Sequence, residues 1–362
     1  MSECLAEVYG NASSIHYFGQ AAKQRLETAR REVGAMLQCQ PKEIAFTSGG
    51  TEADNLAILG TVRHSRRSTK HVITTAIEHP AVLNTCTQLE REGVGVAYLP
   101  VGASGVIDPD DVRRAIRSDT VLVTIMHANN EIGTIQPLAE ISKITREAGV
   151  LFHSDGVQAP GRLDLDMKSL GVDLYSLSAH KFYGPKGTGA LFVRDHTPIS
   201  AVMFGGHHER ERRPGTENVP GAVALGTAAA SIGELPTANL RDRLESGILQ
   251  NIPNVEVNAA RSERLANTTN ICFRGIEGEA LVIALDLKGY AVSSGSACSS
   301  GAVEPSHVLT AIGLSAEAAR SSIRFSLGRR NTAEQVDGLI NAVSESVAHL
   351  RRIAPRALYV HA

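Results

Sequence analysis

The sequence has no strong excess of charge of either sign. Its 362 residues include 36 Lys and Arg against 38 Asp and Glu, a formal net charge of −2. A chain so balanced has no global electrostatic attraction to nucleic acid or to anionic lipid. We therefore expect small-molecule chemistry and no nucleic-acid partner.

The sequence also lacks a long apolar run. No stretch approaches the ~20 residues that a membrane-spanning helix needs. The first residues do not combine a basic segment with an apolar one, as a secretory signal would. We expect a cytoplasmic protein with no membrane partner.

Cysteine is scarce and scattered, with five residues at positions 4, 39, 86, 272 and 298. The odd number and the absence of Cys-x-x-Cys spacing argue against a disulfide framework and against a zinc site. We expect Cys39, Cys86 and Cys272 to be buried as small apolar side chains, and leave Cys4 open. Cys298 differs, because residues 293–302 are small and polar, which predicts an exposed and mobile thiol.

The pattern of residues predicts a fold of the α/β class. A composition of 43% apolar and 20% charged residues is typical of a folded protein, and the length exceeds one ordinary core. Short β-rich runs alternate with helical stretches, which indicates a large, mainly parallel sheet domain over residues 1–230. The predicted strands are residues 43–47, 71–75, 95–99, 120–126, 150–153, 173–177 and 189–193.

Beyond residue 230 the pattern changes to a smaller α+β domain, residues 231–362. Strands are predicted at 255–257, 269–273 and 322–326, and helices at 239–250 and 278–287. The last helix begins with the capping box Thr332-Ala-Glu-Gln335. Its apolar residues recur at helical spacing and are predicted to be buried: Val336, Leu339, Ile340, Val343, Val347 and Leu350.

Lys181 follows a predicted strand, where open α/β sheets form their binding crevice. A lysine with a lowered pKa can form a Schiff base with an aldehyde cofactor, and Ser178 and His180 beside it can donate to a phosphate. Taken alone, a surface lysine before a turn is the commoner interpretation. Asp155, which ends another predicted strand, could hold a pyridinium nitrogen protonated, although an isolated Asp there is usually a turn residue.

The segment Thr47-Ser-Gly-Gly-Thr-Glu-Ala-Asp-Asn55 lies between a predicted strand and a predicted helix. Its glycines allow close backbone approach, and the helix N-terminus offers free N–H groups to a phosphate. Gly50 and Thr51 are the candidate phosphate ligands. The segment matches neither standard nucleotide-binding motif, so a capped turn is an equal interpretation.

Further motifs occur at residues 9–16, 126–133, 213–218 and 321–328. Together with the segments above, they resemble the cysteine desulfurases of the class V, fold-type I pyridoxal-phosphate (PLP) family, in its NifS/IscS-like branch. The resemblance runs from residue 9 to the C-terminus. It implies a PLP-dependent transferase fold, L-cysteine as substrate and a homodimer.

The resemblance also implies roles for individual residues. Lys181 would form the Schiff base with PLP, Asp155 would pair with the pyridinium nitrogen, His79 would stack on the ring, and Gln158 would donate to the cofactor hydroxyl. The implied phosphate ligands are Gly50, Thr51, Ser178 and His180, with Thr216 supplied by a second subunit. Asn129 and Arg324 would orient the substrate, with Arg324 on its carboxylate.

Cys298 is implied to be the nucleophile. It would take sulfur from L-cysteine as a persulfide and leave L-alanine, with His79 as a proton shuttle. The long Ser/Gly loop that continues into Glu304-Pro-Ser-His307 is similar to that of the NifS/IscS group. The expected partner is an iron–sulfur scaffold protein of the IscU/NifU type or another sulfur acceptor, and Cys298 is a candidate transient ligand to a cluster there.

The sequence departs from the family pattern at its start. Relatives begin with a strand, a turn and a helix before the Tyr-Gly-Asn motif, and Met1 is expected to lie inside that helix. The missing segment predicts weaker cofactor binding. Smaller departures are Ala12 in place of proline, Gly156 in place of alanine, and His207 and Glu211 in place of glycines.

Two alternatives share most of these residues. The first is a selenocysteine lyase or another class V enzyme, which would need Lys181 and Asp155 but not a thiol at position 298. The second is an inactive, N-terminally truncated paralogue that binds the cofactor without catalysis. The presence of Cys298, Lys181, His79 and Arg324 favours an active cysteine desulfurase.

Overall fold

The computed structural model describes residues 1–233, 237–294 and 304–353. Its contacts divide the chain into two units. The first comprises residues 1–99, 107–127 and 136–233, and the second comprises residues 100–106, 128–135 and 234–362. The strand and helix pattern of the sequence places both internal segments, 100–106 and 128–135, in the first domain, whereas the contacts group them with the second unit.

The first unit is built on seven strands: β1 Ile44–Thr47, β2 His71–Thr75, β3 Gly95–Leu99, β4 Thr120–Thr124, β5 Leu151–Asp155, β6 Leu174–Ser178 and β7 Gly189–Val193. Their order across the sheet is β1-β7-β6-β5-β4-β2-β3. The five strands from β2 to β6 run parallel to one another. Strand β7 is antiparallel to both β6 and β1. The predicted mainly parallel sheet is confirmed.

Every residue of β2, β4 and β6 is buried. A parallel sheet with helices on both faces has no solvent-facing side, which explains why these strands show no alternation of polar and apolar residues. The helices of this unit are α1 Ser2–Glu7, α2 Tyr17–Met36, α3 Gly50–His64, α4 Pro80–Arg91, α5 Pro109–Ala115, α6 Leu138–Glu147, α7 Met167–Leu170 and α8 Val219–Ser231.

The second unit contains a four-stranded antiparallel sheet of β8 Val255–Val257, β9 Thr268–Phe273, β10 Ser293–Ser294 and β11 Ser322–Ser326. The strand order is β10-β11-β9-β8. Its helices are α9 Ala238–Asn251, α10 Gly278–Asp286, α11 His307–Ala311, α12 Ala316–Arg320 and α13 Ala333–Ile353.

Helix α13 begins with the predicted capping box. The Gln335 backbone N–H donates to Thr332 Oγ1 at 3.3 Å, and the Thr332 N–H donates to Gln335 Oε1 at 3.2 Å. The predicted apolar face is confirmed, with Leu350 only partly buried and the other five residues buried against α9, α10 and the sheet.

Two of the three cysteines predicted to be core residues, Cys86 and Cys272, are buried, and so is Cys4. The prediction for Cys39 was wrong, because this residue lies in the turn after α2 and is only half-buried. Even so, burial raises the pKa of the Cys39 thiol to about 12. Within residues 1–233, 237–294 and 304–353, no helix is long and apolar enough to span a bilayer.

Candidate active site

The carboxyl ends of β5 and β6 bring the predicted cofactor residues together. Asp155 is the last residue of β5 and Ser178 the last of β6, and Lys181 lies in the 3₁₀ turn Ala179–Phe182 that follows. Since β5 and β6 are parallel, these ends lie on one edge of the sheet, where α/β proteins bind ligands.

The Asp155 carboxyl group is buried and lies within the electrostatic influence of Lys181 and His79. Its Oδ1 accepts a hydrogen bond of 2.9 Å from the Val157 N–H. Burial raises the pKa of Asp155, while this hydrogen bond and the electrostatic influence of His79 and Lys181 act in the opposite direction. The structure therefore places three predicted site residues, Asp155, His79 and Lys181, in one electrostatic cluster.

A residue missed in the sequence, Arg162, joins the turns that carry Gln158 and Lys181. Its Nη1 donates to the Gln158 carbonyl at 2.7 Å and its Nη2 to the Lys181 carbonyl at 3.0 Å. Burial lowers the pKa of the Arg162 guanidinium. By binding both carbonyls, Arg162 links the turn after β5, which begins at the buried Asp155, to the turn after β6.

His79 is the N-cap of α4, and its ring is exposed. Its Nδ1 accepts a hydrogen bond of 3.1 Å from the Ala81 N–H, which fixes the ring's orientation. The preceding residue, Glu78, is fully buried, and its Oε1 accepts from Thr75 Oγ1 at 2.6 Å and from the Met126 N–H at 3.0 Å. Burial raises the pKa of Glu78 to about 8.

The start of α3 forms a cradle with the ends of β5 and β6. A Cβ atom at Gly50 would lie 2.7 Å from Val157 Cγ2 and 3.6 Å from Ser178 Cβ, so a larger residue would have to displace Val157. Thr51, in the first turn of α3, is exposed, and Ser178 is buried. Free N–H groups beside a buried hydroxyl suit a phosphate.

His180 is exposed beside this cradle. Partial desolvation and the positive charges of Lys181 and Lys186 lower the pKa of His180.

The segment that carries Thr216 is tied to the same helix start. Arg213 Nε donates to Glu52 Oε1 at 2.8 Å, and the Ser48 N–H donates to Glu52 Oε2 at 2.8 Å. Burial acts to raise the pKa of Glu52, but these bonds from Arg213 and Ser48 outweigh it and lower the pKa. Thr216 itself is exposed.

Glu209 anchors the beginning of this segment. Its carboxylate accepts two hydrogen bonds from Arg30, of 2.6 and 2.8 Å, and one of 2.9 Å from the Phe46 N–H. Glu209, Arg210 and Glu211 have φ angles of 47°, 56° and 64°, a conformation that costs free energy for residues other than glycine. The buried ion pair holds this strained run in place, which explains how glutamate is tolerated at position 211.

The second unit places Arg324 against the loop that contains Asn129. Arg324 Nη1 donates to the Asn130 carbonyl at 2.9 Å, whereas its buried Nε has no hydrogen-bond partner among the described residues. The Asn129 Oδ1 accepts from the N–H groups of Glu131 and Ile132 at 2.8 and 3.1 Å. The Asn129 side-chain oxygen therefore holds the loop together.

A second missed residue, Glu131, lies buried in this loop. Its Oε2 accepts a hydrogen bond of 2.5 Å from Ser306 Oγ. Burial raises the pKa of Glu131, opposed by Ser306, His307 and Arg324. Its motif, Asn-Asn-Glu-Ile-Gly, is visible in the sequence, but no sequence signal shows that the glutamate is buried.

Cys298, predicted as nucleophile and as transient cluster ligand, lies outside the described residues. Among the residues that the structure does describe, no group of three or more His, Cys, Asp or Glu side chains is arranged to hold a metal ion.

A family model for the aminotransferase class-V family matches residues 1–339. The chain belongs to this family. Among curated relatives, the cysteine desulfurase IscS of Methanosarcina thermophila is 49% identical over 357 residues, which cover 97% of this chain and 88% of the relative.

Solved structures agree with this assignment. A NifS-like protein superposes with a TM-score of 0.90 at 35% identity, covering 96% of this chain and 94% of that one. The protein SspA, solved in complex with cysteine, gives a TM-score of 0.81 at 36% identity, with coverage of 91% and 94%. The resemblance found in the sequence is confirmed, and so is the fold-type I architecture.

The chain is therefore a PLP-dependent enzyme of the cysteine desulfurase type. The described residues fit this cofactor. Gly50 leaves a space that a Cβ would fill, and a buried carboxyl at Asp155 lies in the field of Lys181 and His79.

Proposed function

We propose that this enzyme converts L-cysteine to L-alanine and retains the sulfur on Cys298 as a persulfide. The observation that carries the proposal is the cluster of Asp155, Lys181 and His79 beside the Gly50 cradle. A lysine amine, a buried carboxyl and an imidazole within one electrostatic cluster suit a PLP site.

In this proposal Lys181 carries PLP through its Nζ. Asp155 pairs with the pyridinium nitrogen, because a carboxylate favours the protonated form of a nitrogen base beside it. Gln158 donates to the cofactor hydroxyl, and His79 stacks on the ring. When bound, PLP supplies an electron sink for the negative charge that develops at the substrate Cα.

The phosphate group of the cofactor is bound, in this proposal, by the start of α3 and by the turn after β6. Gly50 and Thr51 offer N–H groups at the helix N-terminus, and Ser178 and His180 offer side-chain donors. Thr216 of a second copy completes this set.

A homodimer is supported by apolar side chains that a single copy leaves in solvent. Tyr9, Ile15, Tyr17 and Phe18 are 83%, 95%, 80% and 65% exposed, and Phe204, twelve residues before Thr216, is 91% exposed. A folded monomer rarely leaves so many large apolar side chains uncovered. We propose that a second copy covers them.

Substrate binding is assigned to Arg324 and Asn129. The Arg324 Nε, which lacks a hydrogen-bond partner among the described residues, is a donor available to the carboxylate of cysteine. Burial lowers the pKa of Arg324, but a guanidinium stays charged at all physiological pH values.

The chemical steps divide between the Lys181 amine and the Cys298 thiol. Lys181 Nζ, released once the substrate amine has taken its place, would take the proton from the substrate Cα, and His79 would move a proton at its Nε2, since its Nδ1 accepts from the backbone. The Cys298 thiolate attacks the substrate sulfur, a sulfur–sulfur bond forms and the carbon–sulfur bond breaks. The products are alanine and the Cys298 persulfide.

The sulfur acceptor is proposed to be a scaffold protein for iron–sulfur cluster assembly, of the IscU/NifU type. The support is the name IscS shared by relatives such as those of Methanosarcina thermophila and Dictyoglomus turgidum. Transient ligation of a cluster by Cys298 belongs to the same proposal.

The direct test incubates purified protein with PLP, L-cysteine and a thiol reductant and measures alanine and sulfide. Equal amounts of the two products are expected. Release of alanine without sulfide or persulfide would overturn the proposal. Selenocysteine as substrate, assayed in parallel, distinguishes a selenocysteine lyase, which would turn over selenocysteine and leave cysteine intact.

A further inference from the structure

Tyr175, the second residue of β6, has the largest of the fully buried side chains in the described residues. In the register of the sheet it lies opposite Ser154, one residue before Asp155. Successive residues of a strand face opposite sides of the sheet, so Tyr175 shares a face with Gly156 and not with Asp155.

The ring of Tyr175 occupies the space that a side chain at position 156 would need. A Cβ atom at Gly156 would lie 1.9 Å from Tyr175 Cε1 and Cζ and 2.4 Å from Oη. Gly156 does not have a positive φ, so its backbone does not require glycine. Glycine is required here because Tyr175 lies directly against it.

The hydroxyl of Tyr175 reaches a second neighbour of Asp155. Tyr175 Oη and His127 Nδ1 share a hydrogen bond of 2.7 Å, and the His127 N–H donates to the Asp155 carbonyl at 2.8 Å. Burial lowers the pKa of His127 to about 4, so its imidazole is neutral at physiological pH. Burial and the nearby charge of Asp155 raise the pKa of Tyr175, so the phenol keeps its proton.

These contacts enclose the short turn that orients the Asp155 carboxylate. The turn runs from Asp155 through Gly156 to Val157, whose N–H donates to Asp155 Oδ1. Tyr175 packs under its middle residue, and His127 binds the carbonyl of its first residue. We propose that Tyr175 is a positioning residue for the Asp155 carboxylate and that Gly156 is its matched partner. This inference rests on the cofactor role proposed for Asp155.

The pairing is tested with four variants: Gly156→Ala, Tyr175→Phe, Tyr175→Leu and the double variant Gly156→Ala/Tyr175→Leu. Each is measured for melting temperature without PLP, for PLP affinity, and for the pH midpoint of the visible absorption of bound PLP. The reference is Asp155→Asn, which shows how far the midpoint moves when the carboxylate is lost.

Gly156→Ala should weaken PLP binding about 10-fold or more, because the added methyl group displaces the ring or the turn. Tyr175→Phe keeps the ring and loses one buried hydrogen bond, which should weaken binding about 3- to 10-fold. Both variants should move the pH midpoint toward that of Asp155→Asn. In the double variant the ring is gone, so the added methyl group should cost no more than about 2-fold relative to Tyr175→Leu.

The matched control is Gly338→Ala in the second unit, where a Cβ atom would lie 2.4 Å from Tyr290 Oη. It should change the melting temperature and leave the pH midpoint unchanged. If Gly156→Ala lowers only the melting temperature, or if its effect is the same in both Tyr175 backgrounds, Tyr175 only fills the core and the proposal is overturned.

The experiment also separates this inference from the proposed function. If Asp155→Asn leaves the pH midpoint unchanged, the cofactor role of Asp155 is wrong and the inference fails with it. If Asp155→Asn moves the midpoint and Gly156→Ala does not, the role of Asp155 stands and only the role of Tyr175 fails.

Discussion

The candidate residues of the two units are held in different ways. In the first unit, burial raises the pKa of Asp155 against the opposing influence of Lys181 and His79, and its turn is fixed by Val157, His127 and Arg162. In the second unit, Arg324 makes one hydrogen bond to a backbone carbonyl and keeps a buried Nε–H without a partner in the described residues.

This contrast fits the roles proposed for the two units. A cofactor that stays bound benefits from groups already fixed by their own neighbours, since little order is lost when it binds. A substrate that enters and leaves at every turnover needs an available donor, such as Arg324 Nε. A turn fixed around Asp155 in one unit and an available donor on Arg324 in the other are therefore both compatible with function.

The largest effect is expected when the proposed cofactor lysine of the first unit is removed. Lys181→Ala should lower cysteine desulfurase activity by at least about 10³-fold, because both the covalent link and the base are lost. Borohydride should fix PLP to the parent protein but not to this variant. Lys186→Ala, an exposed lysine five residues later, is the control and should remain active. Borohydride-stable PLP on Lys181→Ala would refute the assignment.

The second prediction separates the two halves of the chemistry. Cys298→Ala should keep the visible absorption of PLP and still bind cysteine, while sulfide and alanine release fall about 10²- to 10³-fold, since no thiol is left to take the sulfur. The measurement is a rapid-mixing absorption spectrum together with product assays. Cys39→Ala, at a half-buried thiol, is the control. Mass spectrometry that finds the persulfide on Cys39 or Cys86 would show the nucleophile to be misassigned.

The third prediction compares buried ion pairs in the two units. Arg30→Met leaves the Glu209 carboxylate buried without its partner, and should lower the free energy of unfolding by about 3–5 kcal/mol. Both side chains of that pair are 3% exposed, against 7% and 14% for Arg264 and Glu245 in the second unit. Arg264→Met should therefore cost less, about 1–2 kcal/mol.

Urea denaturation followed by circular dichroism measures both free energies. Equal losses in the free energy of unfolding for Arg30→Met and Arg264→Met would show that the greater burial of the Arg30–Glu209 pair does not add to its contribution to stability. PLP content should also fall in Arg30→Met, because Glu209 anchors the segment that leads to Thr216.

The fourth prediction tests the available donor of the second unit. Arg324→Lys keeps the positive charge but loses the planar guanidinium, and should lower kcat/KM for cysteine about 10- to 100-fold. PLP content should stay at the parent level. Arg274→Lys, at an exposed ion pair with Glu256, is the matched control. A loss of PLP in Arg324→Lys would contradict the assignment of Arg324 to the substrate.

The smallest expected effect concerns the two buried glutamates. Burial raises the pKa of Glu78 from its ordinary 4.5 to about 8, so its favourable contribution to stability is complete below pH 4.5 and is lost as the pH rises through 8. Glu78→Gln has no carboxyl group to ionise. Its melting temperature should therefore fall less between pH 5 and 8 than that of the parent, with a difference of about 3–6 °C between the two falls.

Glu131→Gln is the counterpart in the second unit. The pKa of Glu131 is also raised by burial, but Ser306, His307 and Arg324 oppose the rise. Glu131→Gln should therefore reduce the pH dependence of the melting temperature by less than Glu78→Gln does. Differential scanning calorimetry across the pH range measures both variants. A larger effect for Glu131→Gln would reverse this order.

Much of the fold could be predicted because the signals are local. The strands at residues 71–75, 95–99, 189–193, 255–257 and 322–326 have the predicted bounds. Others end elsewhere, as β4 does at Thr124 although the apolar run continues to Met126. The reason is tertiary, because the Ile125 and His127 N–H groups still donate to β5, whereas the Met126 N–H donates to the Glu78 carboxylate.

Residue type and short spacing are enough to locate the candidate chemistry along the chain. Lys181 and the Gly50 turn each follow a strand and Asp155 ends one, and the motifs that contain them indicate the family without any knowledge of long-range contacts. Such local signals do not depend on the rest of the fold, which is why they can be recognised in the sequence.

Which distant residues support these groups depends on the tertiary structure alone. Arg30 and Glu209 are separated by 179 positions, and Tyr175 and His127 by 48. The tertiary contacts also assign residues 100–106 and 128–135 to the second unit and leave Cys39 half-buried. Burial brings such residues together, and a buried polar group must then find a partner wherever the chain supplies one, which no local pattern records.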